Sequence, residues 1–259
     1  MTQTLISWNV NGIRACYTKG AFDTFLNSHS PDILFLQETK LQEPQIPPAL
    51  DNPKPYYTAW HCAERKGYSG VALFSKLKPL EVFTEIGHEA FDCEGRVIGA
   101  EYDDFLAFGV YFPNGQQSPE RLQYKLDFYD VFFKYIKELE AHYKKPVFVS
   151  GDYNTAHKPI DLARPKQNED VSGFLPIERD WLDKVINDYA FTDTFRKFNQ
   201  DPDEYSWWSY RAGARQRNVG WRIDYVFSSK TGVSMLNNGF ILQDIKGSDH
   251  CPVGIQIDI

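Results

Sequence analysis

Short apolar runs recur along the chain, and several of them end abruptly in polar side chains. Residues 4–8 are followed directly by asparagine, and residues 32–36 by glutamine and glutamate. Residues 147–149 lead into aspartate and asparagine. Apolar runs of this length, bounded by turn residues, are typical of buried β-strands. Because ligands of α/β sheets bind beyond the ends of strands, the pattern predicts strands that present functional groups at one edge.

The stretch 147–157, with the sequence VFVSGDYNTAH, shows this pattern most clearly. Gly151 allows the backbone to turn after the apolar run without a steric penalty, and Asp152 and Asn154 follow it. Asx side chains also cap ordinary turns, so this stretch alone leaves a purely structural role open. A functional role requires that other strand ends carry matching groups. For His157, farther along the loop, we predict a structural role.

Closely spaced strands and a few helices make up the rest of the chain. We predict a meander of strands over residues 56–60, 70–75, 80–84, 96–102 and 106–112, and later strands over 205–208, 222–228 and 253–257. No linker or low-complexity tract divides the sequence. Residues 1–259 are therefore predicted to form one domain with two sheet-forming halves.

Helices are predicted where apolar residues recur at three- and four-residue spacing. One covers residues 21–28, and a long one runs from Pro119 to Tyr143 with Ser118 as its N-cap. A third begins near Pro176, and its predicted buried face carries Ile177, Trp181 and Val185.

Charge and cysteine content narrow the classes of function. The chain has 259 residues and a net charge of −7, so its overall charge does not favour nucleic acid. A polyanionic partner would need a local basic surface, for which the candidates are Arg211, Arg215, Arg217 and Arg222. The four scattered cysteines point to neither a zinc site nor a disulfide framework. Without a signal peptide or a membrane-length apolar run, we expect a soluble, cytoplasmic protein.

Polar residues at or near predicted strand ends are spread over the whole chain, namely Asn9, Glu38, Tyr111, Asp152, Asn154, Asp224, Asp249 and His250. Carboxylate and amide oxygens suit Mg²⁺, which is often shared with a substrate phosphate. A histidine beside an acid suits phosphate contact or proton transfer, and a phenol can donate to a phosphate oxygen. Each residue taken singly could satisfy a turn or pack in a sheet. Their joint occurrence favours a metal site that handles phosphate.

Several longer motifs carry a resemblance to a known family. The segments are SWNVNGIRA, LQETK, YFPNG, GDYNTAHKPIDLARPK, SGFLPIER, NVGWRIDY and GSDHCP, in this order along nearly the entire chain. Together they resemble the exonuclease III family of apurinic/apyrimidinic endonucleases, within the wider endonuclease/exonuclease/phosphatase fold. The resemblance implies a DNase I-like, four-layer α/β sandwich in which two mixed β-sheets are flanked by helices.

The resemblance also implies roles for individual residues. It makes Glu38 the principal metal ligand, with Asn11 and Asp249 close to the metal, and Asn11 departs from the aspartate of many relatives. It makes Asp152 the residue that activates or orients the attacking water, held with help from Asn154. Contacts with the phosphate or the scissile region are implied for Tyr111, Asn9, His250 (oriented by Asp224), Asn114 and Asn168. The charge pattern, rather than the resemblance, makes Arg211, Arg215 and Arg217 candidates for DNA binding. An apolar pocket for the base-less sugar is implied for Trp207, Trp221 and Ile223.

The activity implied by the resemblance is hydrolysis of the phosphodiester 5′ to an abasic site in duplex DNA. It would depend on Mg²⁺, with Mn²⁺ as a second candidate, and would include some 3′–5′ exonuclease or 3′-phosphodiesterase activity. We expect a monomer that does not bind membranes, associated with the nucleoid if the source is prokaryotic.

Two other classes of function share parts of this pattern. A phosphomonoesterase or a phospholipid or inositol phosphodiesterase could use the same fold, but the arginine-rich stretch argues against it. A non-catalytic nucleic-acid-binding module would need no metal, whereas the set of predicted ligands is intact. The motifs SGFLPIER and NVGWRIDY favour the DNA-repair branch.

Overall fold

The computed structural model describes residues Met1 to Ile259 as four layers, with helices on the outside and two six-stranded mixed sheets packed face to face. The first sheet has the strand order β11-β12-β1-β2-β4-β3 and the second the order β5-β6-β7-β8-β10-β9. Each sheet contains one parallel pair, β1 with β2 and β7 with β8. The predicted four-layer sandwich is confirmed.

The strands are β1 Thr2–Asn9, β2 Ile33–Gln37, β3 Tyr57–His61, β4 Val71–Ser75, β5 Glu81–Phe83, β6 Val97–Glu101, β7 Leu106–Tyr111, β8 Val147–Asp152, β9 Phe191–Asp193, β10 Asp224–Ser229, β11 Leu236–Ile241 and β12 Val253–Asp258. The α-helices are α1 Ile13–Thr18, α2 Ala21–His29, α3 Glu89–Asp92, α4 Pro119–Tyr143, α5 Pro176–Asn187 and α6 Thr194–Phe198. None of these helices is both long enough and apolar enough to span a bilayer.

Strand β2 shows why the central strands are apolar on both faces. Ile33 and Phe35 belong to the core between the two sheets, whereas Leu34 and Leu36 pack under helices α1 and α2. The sheets approach closely at Gly109, where a Cβ atom would lie 2.5 Å from the ring of Phe35. Only glycine fits at that position.

Helix α4 forms as the apolar spacing predicts. Ser118 accepts a hydrogen bond on its Oγ from the backbone N–H of Arg121 at 3.2 Å, and Pro119 occupies the first turn. Its buried face, including Phe128 and Phe132, covers the second sheet together with α5.

Three local predictions are wrong. The predicted meander is divided, because β3 and β4 join the first sheet while β5, β6 and β7 join the second. Residues 205–208 form no strand, and Trp207 makes only isolated bridges to Trp221 and His250. On α5, Ile177 is exposed, and Glu178 takes the buried position beside Leu182 and Val185.

Several short elements were not predicted, namely α1, α3, α6, β9 and β11. Strand β9 is three residues long and α3 is four, too short for a periodic pattern to emerge.

Candidate active site

The ends of strands from both sheets meet at one edge of the sandwich. The parallel pairs bring the carboxyl ends of β1, β7 and β8 there, and with them Asn9, Tyr111 and Asp152. Strands β10 and β12 run antiparallel to their neighbours, so their amino-terminal ends reach the same edge. Asp224 is paired directly opposite Asp152, and His250 precedes β12. Residues far apart in sequence therefore form one cluster.

Asp152 is a buried carboxylate whose pKa suits a general base. Burial raises its pKa to about 7, although His250 acts in the opposite direction. Its Oδ2 accepts a hydrogen bond from Asn9 Nδ2 at 2.9 Å, and its Oδ1 accepts one from the backbone N–H of Asn154 at 2.8 Å. Gly151, with φ +147°, sets the preceding backbone, where a Cβ atom would lie 1.9 Å from the carbonyl oxygen of Val110.

His250 is positioned as a buried cation. Its Nδ1 lies 2.9 Å from Asp224 Oδ2, which also accepts a hydrogen bond from Ser206 Oγ at 2.6 Å. Burial alone would lower the pKa of His250, but Asp224 and Asp152 raise it to about 10. The imidazolium is therefore the form present near neutral pH. Its Nε2 lies 3.9 Å from Asp152 Oδ2 and can donate to an anion.

The residues predicted to bind a metal fit a hard cation. Lys40 Nζ lies 2.7 Å from Glu38 Oε2 and also donates to Asn11 Oδ1, so two of the predicted ligand oxygens converge on one positive charge. Asn11 Nδ2 in turn donates to Asp249 Oδ1 at 2.9 Å. Asn11, Glu38 and Lys40 all have positive φ, between 44° and 53°, which is strain typical of functional sites.

A second grouping of possible ligand atoms consists of Glu38, Asp152 and His250, whose donor atoms lie within 4.8 Å of one another. His250 is protonated near neutral pH, because its pKa is raised to about 10. An imidazolium has no free electron pair for a cation. The oxygens of Glu38, Asn11 and Asp249 are therefore the better set for Mg²⁺, which prefers oxygen ligands.

Tyr111 lies in the site above a buried arginine. The Arg96 guanidinium carbon is 4.7 Å from the centroid of the Tyr111 ring, and its Nη1 donates to the Tyr111 carbonyl oxygen at 2.9 Å. Burial holds the pKa of Tyr111 well above its usual value, so the phenol keeps its proton. Tyr111 is thus a hydrogen-bond donor toward a bound phosphate.

A cavity of about 770 Å³ opens beside this cluster. Trp207, Trp221 and Ile223, the residues predicted for an apolar pocket, lie together along one wall of it. Ser172 and Gly173 form part of the remaining rim. The predicted residues that line the cavity are Glu38, Tyr111, Asn114, Asp152, Asn154, Asn168, Trp207, Arg211, Arg217, Trp221, Ile223, Asp249 and His250. An apolar wall next to a charged cluster can hold a ligand that has both an apolar face and a charged group.

Asn9 occupies a different place from the predicted phosphate contact. It is fully buried, and its Nδ2 bridges Glu38 Oε1 at 2.8 Å and Asp152 Oδ2 at 2.9 Å. Both amide hydrogens are therefore engaged within the protein. Asn9 orients the two carboxylates rather than contacting substrate.

Two of the predicted basic residues do not face the cavity. Arg222 is fully buried, with Nε 2.8 Å from Asp161 Oδ1 and Nη2 2.7 Å from Asp193 Oδ2, so its predicted role in the basic surface is wrong. The Arg215 guanidinium stacks on Trp208 and donates to backbone carbonyls, including that of Ser248 at 3.0 Å. Those contacts turn the Arg215 guanidinium toward the protein's own backbone, and Arg215 does not line the cavity.

Arg211 and Arg217 are exposed at the rim of the cavity, and the structure adds Arg164 there. Arg164 and Lys40 were not predicted as site residues, although both lie inside motifs that carry the family resemblance. Arg96 was not predicted either, because no local sequence pattern marks it.

Comparisons with known proteins agree with this geometry. Residues 6–250 match the family described as the endonuclease/exonuclease/phosphatase family. The chain is 44% identical to an exodeoxyribonuclease of Bacillus subtilis over 98% of this chain and 99% of that protein. It is 38% identical to a DNA-(apurinic or apyrimidinic site) endonuclease of Dictyostelium discoideum over 98% of this chain and 70% of that protein. It also resembles the structure of an AP endonuclease from Archaeoglobus fulgidus, with a TM-score of 0.87, 26% identity and coverage of 99% and 100% of the two chains.

Proposed function

Since the chain belongs to the endonuclease/exonuclease/phosphatase family, we propose that it is a Mg²⁺-dependent DNA-repair endonuclease that hydrolyses the phosphodiester 5′ to an abasic site in duplex DNA. The observation that carries this proposal is the opening of the Asp152–His250 cluster directly onto a cavity walled by Trp207, Trp221 and Ile223. The name of the Bacillus subtilis relative, an exodeoxyribonuclease, also supports some exonuclease activity. We further propose that the protein acts as a monomer.

Asp152 is the residue that would remove a proton from the attacking water. Its carboxylate oxygens are held by Asn9 and by the backbone of Asn154, and its pKa of about 7 matches the pH of the cell. A general base is most effective when its pKa lies near the working pH. Asn154 Nδ2 also lies 3.4 Å from Asp152 Oδ2, which restrains that oxygen further.

His250 and Tyr111 would stabilise the charge that develops on the phosphate. Both line the cavity and keep their protons near neutral pH, because their pKa values are raised. Donors that are already oriented in a buried site lower the barrier more than donors in water do. A Mg²⁺ ion held by Glu38, Asn11 and Asp249, when bound, would supply Lewis-acid stabilisation of the phosphate and leaving oxygens.

Selectivity for damage would follow from the cavity. An abasic nucleotide can leave the helix at low cost, because no base has to be unstacked. Trp207 and Trp221 would then contact the apolar face of the sugar, while Arg211 and Arg217 at the rim contact phosphates. The two half-buried indoles offer the sugar an apolar surface.

The test uses a 5′-labelled duplex with one abasic analogue, an undamaged duplex and a soluble phosphomonoester. We expect the protein to cut the first substrate 5′ to the lesion in Mg²⁺, more slowly in Mn²⁺, and not in EDTA. Turnover of the phosphomonoester without incision of the duplex would instead favour a phosphatase. Binding of DNA without any metal-dependent cleavage would favour a binding module.

A further inference from the structure

A fully buried ion pair lies next to the candidate site and outside the groups used above. Lys125 of α4 and Glu178 of α5 are both fully buried, with Nζ 2.6 Å from Oε1. Burial lowers the pKa of Lys125, and Glu178 opposes that effect. Taking two charges out of water is expensive, and well-packed apolar residues are often at least as stable. The pair therefore calls for an explanation other than stability.

Lys125 has a second partner in the turn that follows β8. Its Nζ donates to the backbone carbonyl of Asn154 at 2.7 Å. Asn154 has φ +51°, and its backbone N–H donates to Asp152 Oδ1 at 2.8 Å. The hydrogen bond from Lys125 to this carbonyl helps to keep Asn154 in its strained, positive-φ conformation. Lys125 is thereby bonded to the residue whose N–H holds the Asp152 carboxylate.

Glu178 holds the opposite wall of the cavity. It accepts hydrogen bonds from Ser172 Oγ at 3.0 Å and from the backbone N–H groups of Gly173 and Leu175. Ser172 and Gly173 line the cavity beside Trp221. The Gly173 carbonyl accepts the N–H of Ala156, which joins the two segments.

We propose that Lys125 and Glu178 are a positioning pair that sets the distance between the Asp152 carboxylate and the rim of the cavity. One side of the pair holds the turn at Asn154, and the other holds the cavity loop, residues 172–175. This inference rests on the proposed function, because it assigns the pair a role in that same site. A displacement of about 1 Å between catalytic group and substrate can slow a reaction about 100-fold.

Two double variants separate the two sides of the pair. In Lys125→Met/Glu178→Gln the glutamine oxygen still accepts the N–H groups of Gly173 and Leu175, and its amide N–H can donate to Ser172 Oγ. The cavity loop therefore stays bonded, while the Asn154 carbonyl loses its donor. We expect kcat on the abasic duplex to fall roughly 10- to 100-fold while KM stays within about twofold. In Lys125→Met/Glu178→Leu the cavity loop is also released, and we expect KM to rise as well.

The chain offers a matched control on the same two helices. Asp130 of α4 and Lys184 of α5 form an exposed pair with Oδ1 and Nζ 3.0 Å apart, and neither touches the site. Asp130→Asn/Lys184→Gln should therefore leave kcat and KM unchanged.

The inference is overturned if Lys125→Met/Glu178→Gln folds and keeps kcat within twofold of the wild type, or if the Asp130/Lys184 control loses as much. If the double variant does not fold, Glu178→Asp becomes the test. It keeps both charges of the pair, but its carboxylate is one methylene closer to the backbone of α5. Unchanged kcat and KM in that variant would overturn the inference, and a change of at least about threefold in either would support it. Absence of wild-type incision would instead remove the proposed function itself.

Discussion

Two buried clusters of charge lie side by side in the second half of the molecule, and they are built on opposite rules. In the structural cluster, Arg222 bonds Asp161 at 2.8 Å and Asp193 at 2.7 Å, and Arg196 also bonds Asp161. Each carboxylate meets a guanidinium directly. Although burial opposes ionisation, Arg222 lowers the pKa of Asp161 to about 2.

The proposed catalytic cluster begins two residues later, at Asp224, and its carboxylates outnumber its cations. Asp152 and Asp224 share His250, whose Nε2 is 3.9 Å from Asp152, too far for a hydrogen bond. Burial therefore dominates, and the pKa of Asp152 rises to about 7. Complete pairing stabilises the fold, whereas incomplete pairing leaves a carboxylate able to take a proton. That difference separates a structural aspartate from a catalytic one.

The largest expected effect comes from removing the incompletely paired carboxylate. In Asp152→Asn no group remains to accept the proton of the attacking water, so we expect kcat to fall about 10³-fold or more. The measurement is single-turnover incision of the abasic duplex in saturating Mg²⁺. Asp161→Asn is the matched control, because it neutralises a carboxylate that is equally buried but fully paired. Assayed well below its melting temperature, it should keep kcat within about threefold. A comparable loss in both variants would end the distinction between the clusters.

Removing the central cation of the structural cluster should affect stability. Arg222→Met leaves Asp193 without a guanidinium and takes one partner from Asp161, so we expect a loss of about 3–5 kcal/mol in the free energy of unfolding. Urea denaturation measures it. Lys134→Met is the control, because Lys134 pairs with Asp130 on the surface of α4 and its side chain is 62% exposed. It should change the free energy of unfolding by less than about 0.5 kcal/mol. If both variants lost the same free energy of unfolding, the buried position of Arg222 would add nothing to its contribution to stability.

The same two clusters show what the sequence can and cannot predict. Asp152, Asp224 and His250 were predicted because each lies at a strand end, and parallel pairs bring those ends to one edge. Arg222 was misjudged because its partners Asp161 and Asp193 lie 61 and 29 residues away. The local sequence shows several closely spaced arginines, but it does not show which of their side chains are buried.

The division of the predicted meander has the same origin. The strands β3 to β7 follow one another closely and have similar composition, so their local pattern is uniform. Sheet membership is decided by partners elsewhere, since β4 pairs with β2 and β7 pairs with β8. The hydrophobic pattern therefore predicts the existence of these strands but not the sheet that each one joins.

The acid limb of the stability profile provides a smaller test of complete pairing. The pKa of Asp161 is about 2 in the folded protein and 3.8 as the ordinary value, so its ionised form stabilises the fold above pH 4. That contribution, about 2 kcal/mol, is lost as the pH falls from 4 to 2. We expect Asp161→Asn to reduce the pH dependence of the unfolding free energy in this window. An unchanged slope would show that Asp161 ionises equally easily in the unfolded chain.

The smallest expected effect concerns the balance of charge at the metal ligands. Asn11 donates to Asp249 Oδ1 and accepts from Lys40, so it serves both an anion and a cation without adding charge. Asn11→Asp removes the donor and places a carboxylate beside Asp249, which increases the excess of negative charge in the catalytic cluster. Divalent cations compensate that excess, so we expect affinity for Mn²⁺, titrated by its electron paramagnetic resonance signal, to rise about fivefold. Stability in EDTA should fall, because the two carboxylates then repel each other without a cation between them. Unchanged or weaker affinity for Mn²⁺ would mean that Lys40 already compensates the added carboxylate, and that the cluster is closer to complete pairing than its pKa values indicate.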